Sequence, residues 1–135
     1  MIVVDTNVIA YYLIPGPMTE LVEDLRKKDS EWSAPILWRS EMRNVLALYL
    51  RNGQLDLTRI QEHMADAEAL LSGNEFVVES AQVLELAYLS GCTAYDCEFV
   101  FLAEKLGVPL LTTDSKILRS FPQTALSIDQ FIKNH

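Results

Sequence analysis

Four acidic side chains stand where a strand should end or where a helix should be apolar. They are Asp5, Glu41, Asp96 and Asp114. Bare carboxylates packed together are forced toward protonation, because desolvation and mutual repulsion both disfavour the charged form. A divalent cation removes that penalty, and hard oxygen ligands suit Mg²⁺ or Mn²⁺. Such a carboxylate cup supports hydrolysis of phosphodiesters, in which the metal activates water and stabilises the leaving oxygen.

Glu41 is the most informative of the four acids. Leu37, Val45 and Leu48 share its face of a predicted helix, so the carboxylate interrupts an apolar stripe. It lies well inside the helix and cannot cap it. A carboxylate in this position needs a partner or a metal. The alternative is a salt bridge to Arg39, Arg43 or another arginine, or a solvated edge of the stripe.

The other three acids have an ordinary alternative role as helix caps. Asp5 and Asp114 follow predicted strands and precede predicted helices, where Asp is a favoured N-cap. Asp96 comes three residues after Thr93 and could complete a variant capping box. Asp96 also heads an apolar stripe that includes Phe99. Like Glu41, it is therefore a carboxylate on the apolar face of a predicted helix. Capping and metal binding are compatible, and both interpretations stay open.

Short polar side chains flank the first and the last acid. They are Thr6, Asn7, Thr112, Thr113 and Ser115. Such groups can hold waters or orient carboxylates. Ordinary turn and cap chemistry is the alternative; it is favoured for Thr113 and Ser115, whereas Thr112 fits either role.

The elements that would position these side chains alternate between strand and helix. Predicted strands cover residues 2–4, 32–34, 76–78, 108–112 and 125–127. Predicted helices cover residues 6–13, 18–28, 35–51, 58–71, 80–90, 94–106 and 115–119, with a small helix after them. Pro35 is expected to open the third helix, and Thr58 with Gln61 to cap the fourth.

This alternation predicts a mostly parallel sheet covered by helices. Ligands in such sheets bind beyond the carboxyl ends of the strands, and Asp5 and Asp114 fall there.

Composition narrows the class of protein. The chain has 135 residues, the length of one ordinary domain, and is 50% hydrophobic. No apolar run reaches the roughly 18 residues of a membrane span, and the start of the chain lacks the features of a signal peptide. Cys92 and Cys97 are expected to be reduced thiols in a cytoplasmic protein. Zinc is not expected, because His63 and His135 have no ligand-like spacing to the cysteines.

The net charge of −8 taken alone argues against nucleic-acid binding, which needs Lys and Arg. Divalent cations bound among the acids would reverse the local sign.

Four segments resemble the PIN-domain nucleases. They are VDTNVI at 4–9, SEM at 40–42, TAYDCEFVFLA at 93–103 and LLTTD at 110–114. Their order and spacing look most like VapC-type toxins, the ribonuclease half of toxin–antitoxin pairs. No single motif is specific for the family, but all four in this order and at these separations are. The resemblance covers residues 1–135 as a single PIN-like nuclease domain, and it implies a three-layer α/β/α sandwich with a mostly parallel central sheet.

The resemblance also implies RNA cleavage that depends on Mg²⁺ or Mn²⁺. The residues that match the family's acidic and polar positions are Asp5, Glu41, Asp96, Asp114, Asn7 and Thr112. Family members often carry a further acid just after the last one, where this chain has Ser-Lys-Ile at 115–117, which argues against a fully occupied second metal site. Cys97 stands where a small residue is common and is expected to pack harmlessly.

Two kinds of protein partner follow from the resemblance, a second copy of the chain and a cognate antitoxin that inserts a peptide beside the active site. Apolar residues of two predicted helices are candidates for such contacts, with a two-sided core as the alternative: Leu21, Leu25, Trp38, Leu46, Tyr49 and Leu50.

Candidates for phosphate contacts are Arg39, Arg43, Lys116 and Arg119.

Three other functions compete with a toxin ribonuclease. A non-catalytic PIN-like module that binds RNA or protein would keep the fold without cleavage. A receiver-like signalling domain would fit the size, but the first strand supplies one acid rather than a pair and no lysine is suitably placed after the late strand. A nuclease for structured DNA would need clamping elements for which the chain has little room.

Overall fold

The computed structural model describes residues 1–134, and His135 lies outside the described part. Its five strands are β1 (Ile2–Val4), β2 (Trp32–Pro35), β3 (Glu75–Phe76), β4 (Leu110–Leu111) and β5 (Ala125–Leu126). Its eight helices are α1 (Thr6–Leu13), α2 (Thr19–Lys28), α3 (Trp38–Arg51), α4 (Leu57–Leu70), α5 (Ser80–Ser90), α6 (Ala94–Leu106), α7 (Ser115–Ser120) and α8 (Ile128–Asn134).

The strands form one parallel sheet in the order β3-β2-β1-β4-β5. The chain therefore moves outward from β1 to β2 and β3, and then crosses back over β1 to reach β4 and β5. Right-handed crossovers in opposite directions place their helices on opposite faces of the sheet. In agreement, α6 packs against β1, β2 and β4, and α5 packs on α6, whereas α1 packs with α2, α3 and α4.

The change of direction creates a crevice beyond the carboxyl ends of β1 and β4, the place where open α/β sheets bind ligands. Val3 pairs with Leu110 and Val4 with Leu111, so these two strands end side by side. The backbone N–H of Asp5 still donates to the Leu111 carbonyl at 3.2 Å. This register fixes the first acid of the chain inside the crevice.

The core explains why the central strands read as continuous apolar runs. All three residues of β1 are buried, as expected for a parallel strand covered on both faces. Trp32 of β2 and Trp38 of α3 are completely buried. The predicted α/β sandwich with a parallel sheet is confirmed.

Pro35 ends β2 instead of opening α3, which begins at Trp38. On the β3 side, the N–H groups of Ala34 and Ile36 donate to the carbonyls of Asn74 and Phe76. The missing N–H of Pro35 therefore falls on the β1 side, where the pairing has already ended at Ser33. The predicted helix start was wrong because proline at this end of a strand costs no hydrogen bond.

The predicted cap of α4 was also wrong. Asp56, and not Thr58, is the N-cap: its backbone is extended and its carboxylate accepts the Arg59 N–H at 2.8 Å. Asp is an equally favoured cap, and it lies directly before the first helical residue.

Most of the apolar residues proposed for partner contacts belong to the core. Leu25, Trp38 and Leu46 are buried, and Leu21 and Tyr49 pack against the core as partly buried side chains. The two-sided core is therefore the better interpretation of these helices. Within residues 1–134, no helix is long and apolar enough to cross a bilayer.

Candidate functional site

A pocket of about 230 Å³ opens at the crevice between the ends of β1 and β4. It gathers all four acids, which come from four separate parts of the chain. The lining residues are Asp5, Thr6, Asn7, Glu41, Asn44, Val45, Asp96, Phe99, Asp114 and Ile117. The apolar lining residues are Val45, Phe99 and Ile117, and four of the seven polar ones are carboxylates, so the pocket suits a cation and not a bare anion.

Asp5 is the deepest of the acids and both of its carboxylate oxygens accept hydrogen bonds. Oδ1 accepts the Val8 N–H at 3.1 Å, so the residue caps α1 as its sequence position predicts. Oδ2 accepts the hydroxyl of Thr112, which is itself completely buried at the end of β4. These bonds lock the carboxylate between the two central strands.

Glu41 enters the pocket from α3 and accepts the hydroxyl of Thr6 at 2.7 Å through Oε1. No arginine pairs with it in the described part of the chain, neither Arg43 nor Arg39, which binds Glu68 and Glu75 instead. The salt-bridge alternative for Glu41 was therefore wrong.

Asp96 is presented by the first turn of α6. Thr93 caps this helix, and its hydroxyl accepts the Asp96 N–H at 3.1 Å. Cys92 and Cys97, on either side of that first turn, are buried in one small apolar cluster, the arrangement of a hydrophobic staple. Burial raises the pKa of the Cys97 thiol, in keeping with an inert packing residue.

Asp114 and Asn7 stand at the rim. Asp114 caps α7, with Oδ1 accepting the Ile117 N–H at 2.9 Å, and its own N–H donates to the Thr112 hydroxyl at 3.0 Å. Thr112 therefore contacts the first and last acids at once. Asn7, in the first turn of α1, is exposed and lines the pocket.

Burial, and to a smaller extent neighbouring carboxylates, raise the pKa values of three of the acids. Burial raises the pKa of Asp5 to about 6, and the charges of Asp114 and Glu41 add to this against the hydrogen bonds from Thr112 and Val8. Burial likewise raises the pKa of Glu41, with a contribution from Asp96. The pKa of Asp96 is raised by burial and by Asp114. The folded chain thus concentrates negative charge at a cost that a bound cation would remove.

As the side chains stand, no three acidic, histidine or cysteine residues within 1–134 converge closely enough to ligate one ion. The cup is therefore wider than a closed coordination shell. Mg²⁺ commonly uses only one or two carboxylates and keeps several waters, so a cup of this kind fits it better than it fits Zn²⁺.

The basic residues near the site have different surroundings. Arg39 ties α3 to α4 and β3 through its ion pairs and is not free for phosphate. Lys116 donates to the Gly91 carbonyl at 2.9 Å, and its charge counteracts the rise in the pKa of Asp96. Arg43 and Arg119 are exposed.

Two residues near the pocket were missed from the sequence. Asn44 follows Glu41 by three positions and lines the same pocket, a spacing that could have revealed it. Glu98 lines a neighbouring apolar groove of about 320 Å³ with Ile36, Val77 and Leu84. Its charge contributes to the raised pKa of Glu41. Glu98 lies on α6 and Glu41 on α3, so only the tertiary fold brings these two glutamates into electrostatic range.

Comparison with known proteins agrees with this architecture. The model of the PIN domain matches residues 2–122. The chain is 29% identical to Ribonuclease VapC3 of Pyrobaculum aerophilum over 124 residues, which are 90% of this chain and 95% of the relative.

Among solved structures, PAE2754 from Pyrobaculum aerophilum superposes with a TM-score of 0.77 at 20% identity, covering 97% of this chain and 92% of the other. A toxin-antitoxin complex from Klebsiella pneumoniae gives a TM-score of 0.68 at 12% identity, covering 95% and 98%. Because the family model spans most of the sequence, the chain belongs to the PIN-domain family.

Proposed function

We propose that this protein is a metal-dependent endoribonuclease that acts as the toxin of a toxin–antitoxin pair. The observation that carries the proposal is the convergence of four carboxylates from distant parts of a PIN-domain chain into one pocket. The similarity to Ribonuclease VapC3 and the fold shared with a toxin-antitoxin complex support the same activity.

The donor set fits Mg²⁺ or Mn²⁺, which we propose as the cofactor. Asp5, Glu41, Asp96 and Asp114 would hold it, because they offer only hard oxygen donors. Burial, with a smaller contribution from neighbouring charges, raises the pKa values of Asp5, Glu41 and Asp96, and a bound cation would relieve this cost. When bound, the metal lowers the pKa of water and stabilises charge on the phosphodiester.

The side chains have distinct tasks in this proposal. Thr112 and the first turn of α1 fix Asp5, which stays in place while the substrate binds. Glu41 has one oxygen, Oε2, without a described protein partner, so it can orient the attacking water or accept its proton. Asn7 and Asn44 place amides at the rim, where they can donate to ribose or phosphate oxygens.

An acidic protein needs local positive charge to hold RNA. Arg43, Lys116 and Arg119 are the remaining candidates for phosphate contacts, since Arg39 is occupied by its glutamate partners. Lys116 is the best placed of the three because it lies within electrostatic range of Asp96.

Protein partners are supported by apolar surface on and beside α5. Tyr88 is 86% exposed, Leu84 62% and Val77 84%, while Leu89 and Tyr95 are also exposed. A monomer gains nothing by leaving such a patch in water. We propose that this face forms the interface of a homodimer, and that a separate antitoxin covers the acidic pocket.

Cleavage of total cellular RNA tests the proposed activity. Wild-type protein free of co-purified inhibitor is incubated with Mg²⁺, Mn²⁺ or EDTA, beside Asp96→Asn and a matched control, Asp24→Asn, which alters an exposed acid of α2. We expect discrete cuts that need the metal, persist in the control and disappear in Asp96→Asn. Folded wild-type protein that cuts nothing would favour the alternative, a non-catalytic PIN-like module that binds RNA or protein.

A further inference from the structure

One hydrogen bond of the pocket joins two elements that are remote in sequence. The Thr6 hydroxyl donates to Glu41 Oε1 at 2.7 Å and thereby links the start of α1 to the first turn of α3, 35 positions away. This bond has no counterpart in local helix chemistry, because neither residue caps the other's helix. It restrains the orientation of the carboxylate, and it opposes the larger rise that burial causes in the pKa of Glu41.

The donor is held rigidly. Thr6 is 6% exposed and is the first residue of α1, directly after Asp5, whose backbone is bonded to β4 and whose side chain caps the helix. A β-branched side chain in a helix has few rotamers, so its hydroxyl has few directions available. Thr6 is thus part of the most constrained segment of the site.

The acceptor is flexible by comparison. Glu41 is half-buried and reaches the pocket through a long side chain, which loses considerable rotamer freedom when it is fixed. Asp96 and Glu98 lie within electrostatic range and repel it. In the described part of the chain it has no cationic partner, and Thr6 is the one side chain that donates to it.

We propose that Thr6 is a positioning residue that holds the Glu41 carboxylate in the pocket. Because the hydroxyl binds Oε1, Oε2 stays available as a metal ligand or proton acceptor. The hydrogen bond thus determines which carboxylate oxygen takes part in the reaction. The catalytic part of this inference rests on the proposed function. The restraint that Thr6 places on the Glu41 side chain can be tested independently of that function. Outer hydrogen bonds of this kind govern how well a carboxylate ligates a metal.

The test compares Thr6→Val, which keeps the shape and removes the hydroxyl, with Thr6→Ser, which restores it. Thr6→Ala serves if the valine variant does not fold, and Thr58→Val is the matched control in the first turn of α4, where the side chain is exposed. Mn²⁺ affinity is measured by electron paramagnetic resonance, and kcat and KM are measured on a cleaved RNA oligonucleotide. A metal-free crystal structure of Thr6→Val reports the conformation of Glu41.

Loss of the hydroxyl should weaken Mn²⁺ binding about tenfold or more, the scale typical of outer-shell partners of a metal ligand. The value of kcat should fall with it, while KM for RNA changes little, and Thr6→Ser should recover most of both. In the crystal structure, the Glu41 carboxylate should leave its wild-type position. Unchanged Mn²⁺ affinity and kcat in a folded Thr6→Val would overturn the inference.

Failure of the proposed function gives a different pattern. If the wild type neither binds Mn²⁺ nor cleaves RNA, the nuclease proposal falls and the crystal structure alone decides the role of Thr6. A Glu41 side chain that moves in Thr6→Val then supports positioning, and one that keeps its conformation refutes it.

Discussion

Replacing Asp5 with Asn should make the metal-free protein more stable. The carboxylate is 8% exposed, and burial is the main cause that raises its pKa from 3.8 to about 6. A raised pKa means that the folded state favours the protonated form, which Asn mimics. Asn also remains a good N-cap for α1, so the helix start is preserved.

The size of the effect follows from proton linkage. A rise from 3.8 to about 6, at about 1.4 kcal/mol per pKa unit, makes ionised Asp5 cost up to about 3 kcal/mol at neutral pH. The stability that protonated Asp5 contributes is complete below pH 3.8 and is lost as the pH rises through about 6. The advantage of the variant should therefore shrink to about 1 kcal/mol at a pH of about 4.5.

Urea unfolding in EDTA measures this difference at both pH values, with Asp24→Asn as the control for an exposed acid. Saturating Mn²⁺ should reverse the order, because an ion at about 1,000 times its Kd adds about 4.1 kcal/mol to the wild type only, which exceeds the cost of ionised Asp5. An Asp5→Asn variant that is less stable than wild type in EDTA at neutral pH would refute the reasoning. The hydrogen bonds from Val8 and Thr112 would then outweigh the burial cost.

Three further variants test other parts of the structure. Thr93→Ala should cost about 1 kcal/mol in urea unfolding and reduce cleavage by loosening Asp96, whereas Thr93→Ser should restore both; equal losses in the two would argue against capping. Arg39→Met should lower the urea midpoint of unfolding but leave the salt dependence of RNA binding unchanged, as measured by fluorescence anisotropy. A weaker dependence of RNA affinity on salt would show that Arg39 does contact phosphate. Tyr88→Glu should shift the protein from dimer to monomer, as measured by light scattering after size exclusion. A wild type that is already monomeric would refute the proposed dimer interface on α5.

Local patterns in the sequence were enough to place the main elements and to bring the acids to one edge of the sheet. Asp5 and Asp114 follow strands that must be parallel, and parallel strands deliver their carboxyl ends to the same side. Glu41 stood out because a carboxylate on an apolar stripe carries a solvation cost. Each of these inferences uses only neighbours within one or two helical turns.

Strand lengths were less predictable. The apolar run 108–112 contributes only Leu110–Leu111 to the sheet, and residues 76–78 contribute only Phe76, which joins Glu75 in β3. A strand exists only where a neighbour pairs with it, so its ends depend on the register of another segment. The exposure of Val77 beyond β3 follows from the same cause.

The sequence by itself therefore determined the class of fold, the helix caps of Asp5, Thr93 and Asp114, and the set of acids that face one crevice. Only the tertiary structure decided which side chains donate hydrogen bonds to those acids. Thr112 reaches Asp5 across 107 positions and Thr6 reaches Glu41 across 35. Such hydrogen bonds join side chains whose separation along the chain carries no periodic signal, so they are set by the packing of whole elements.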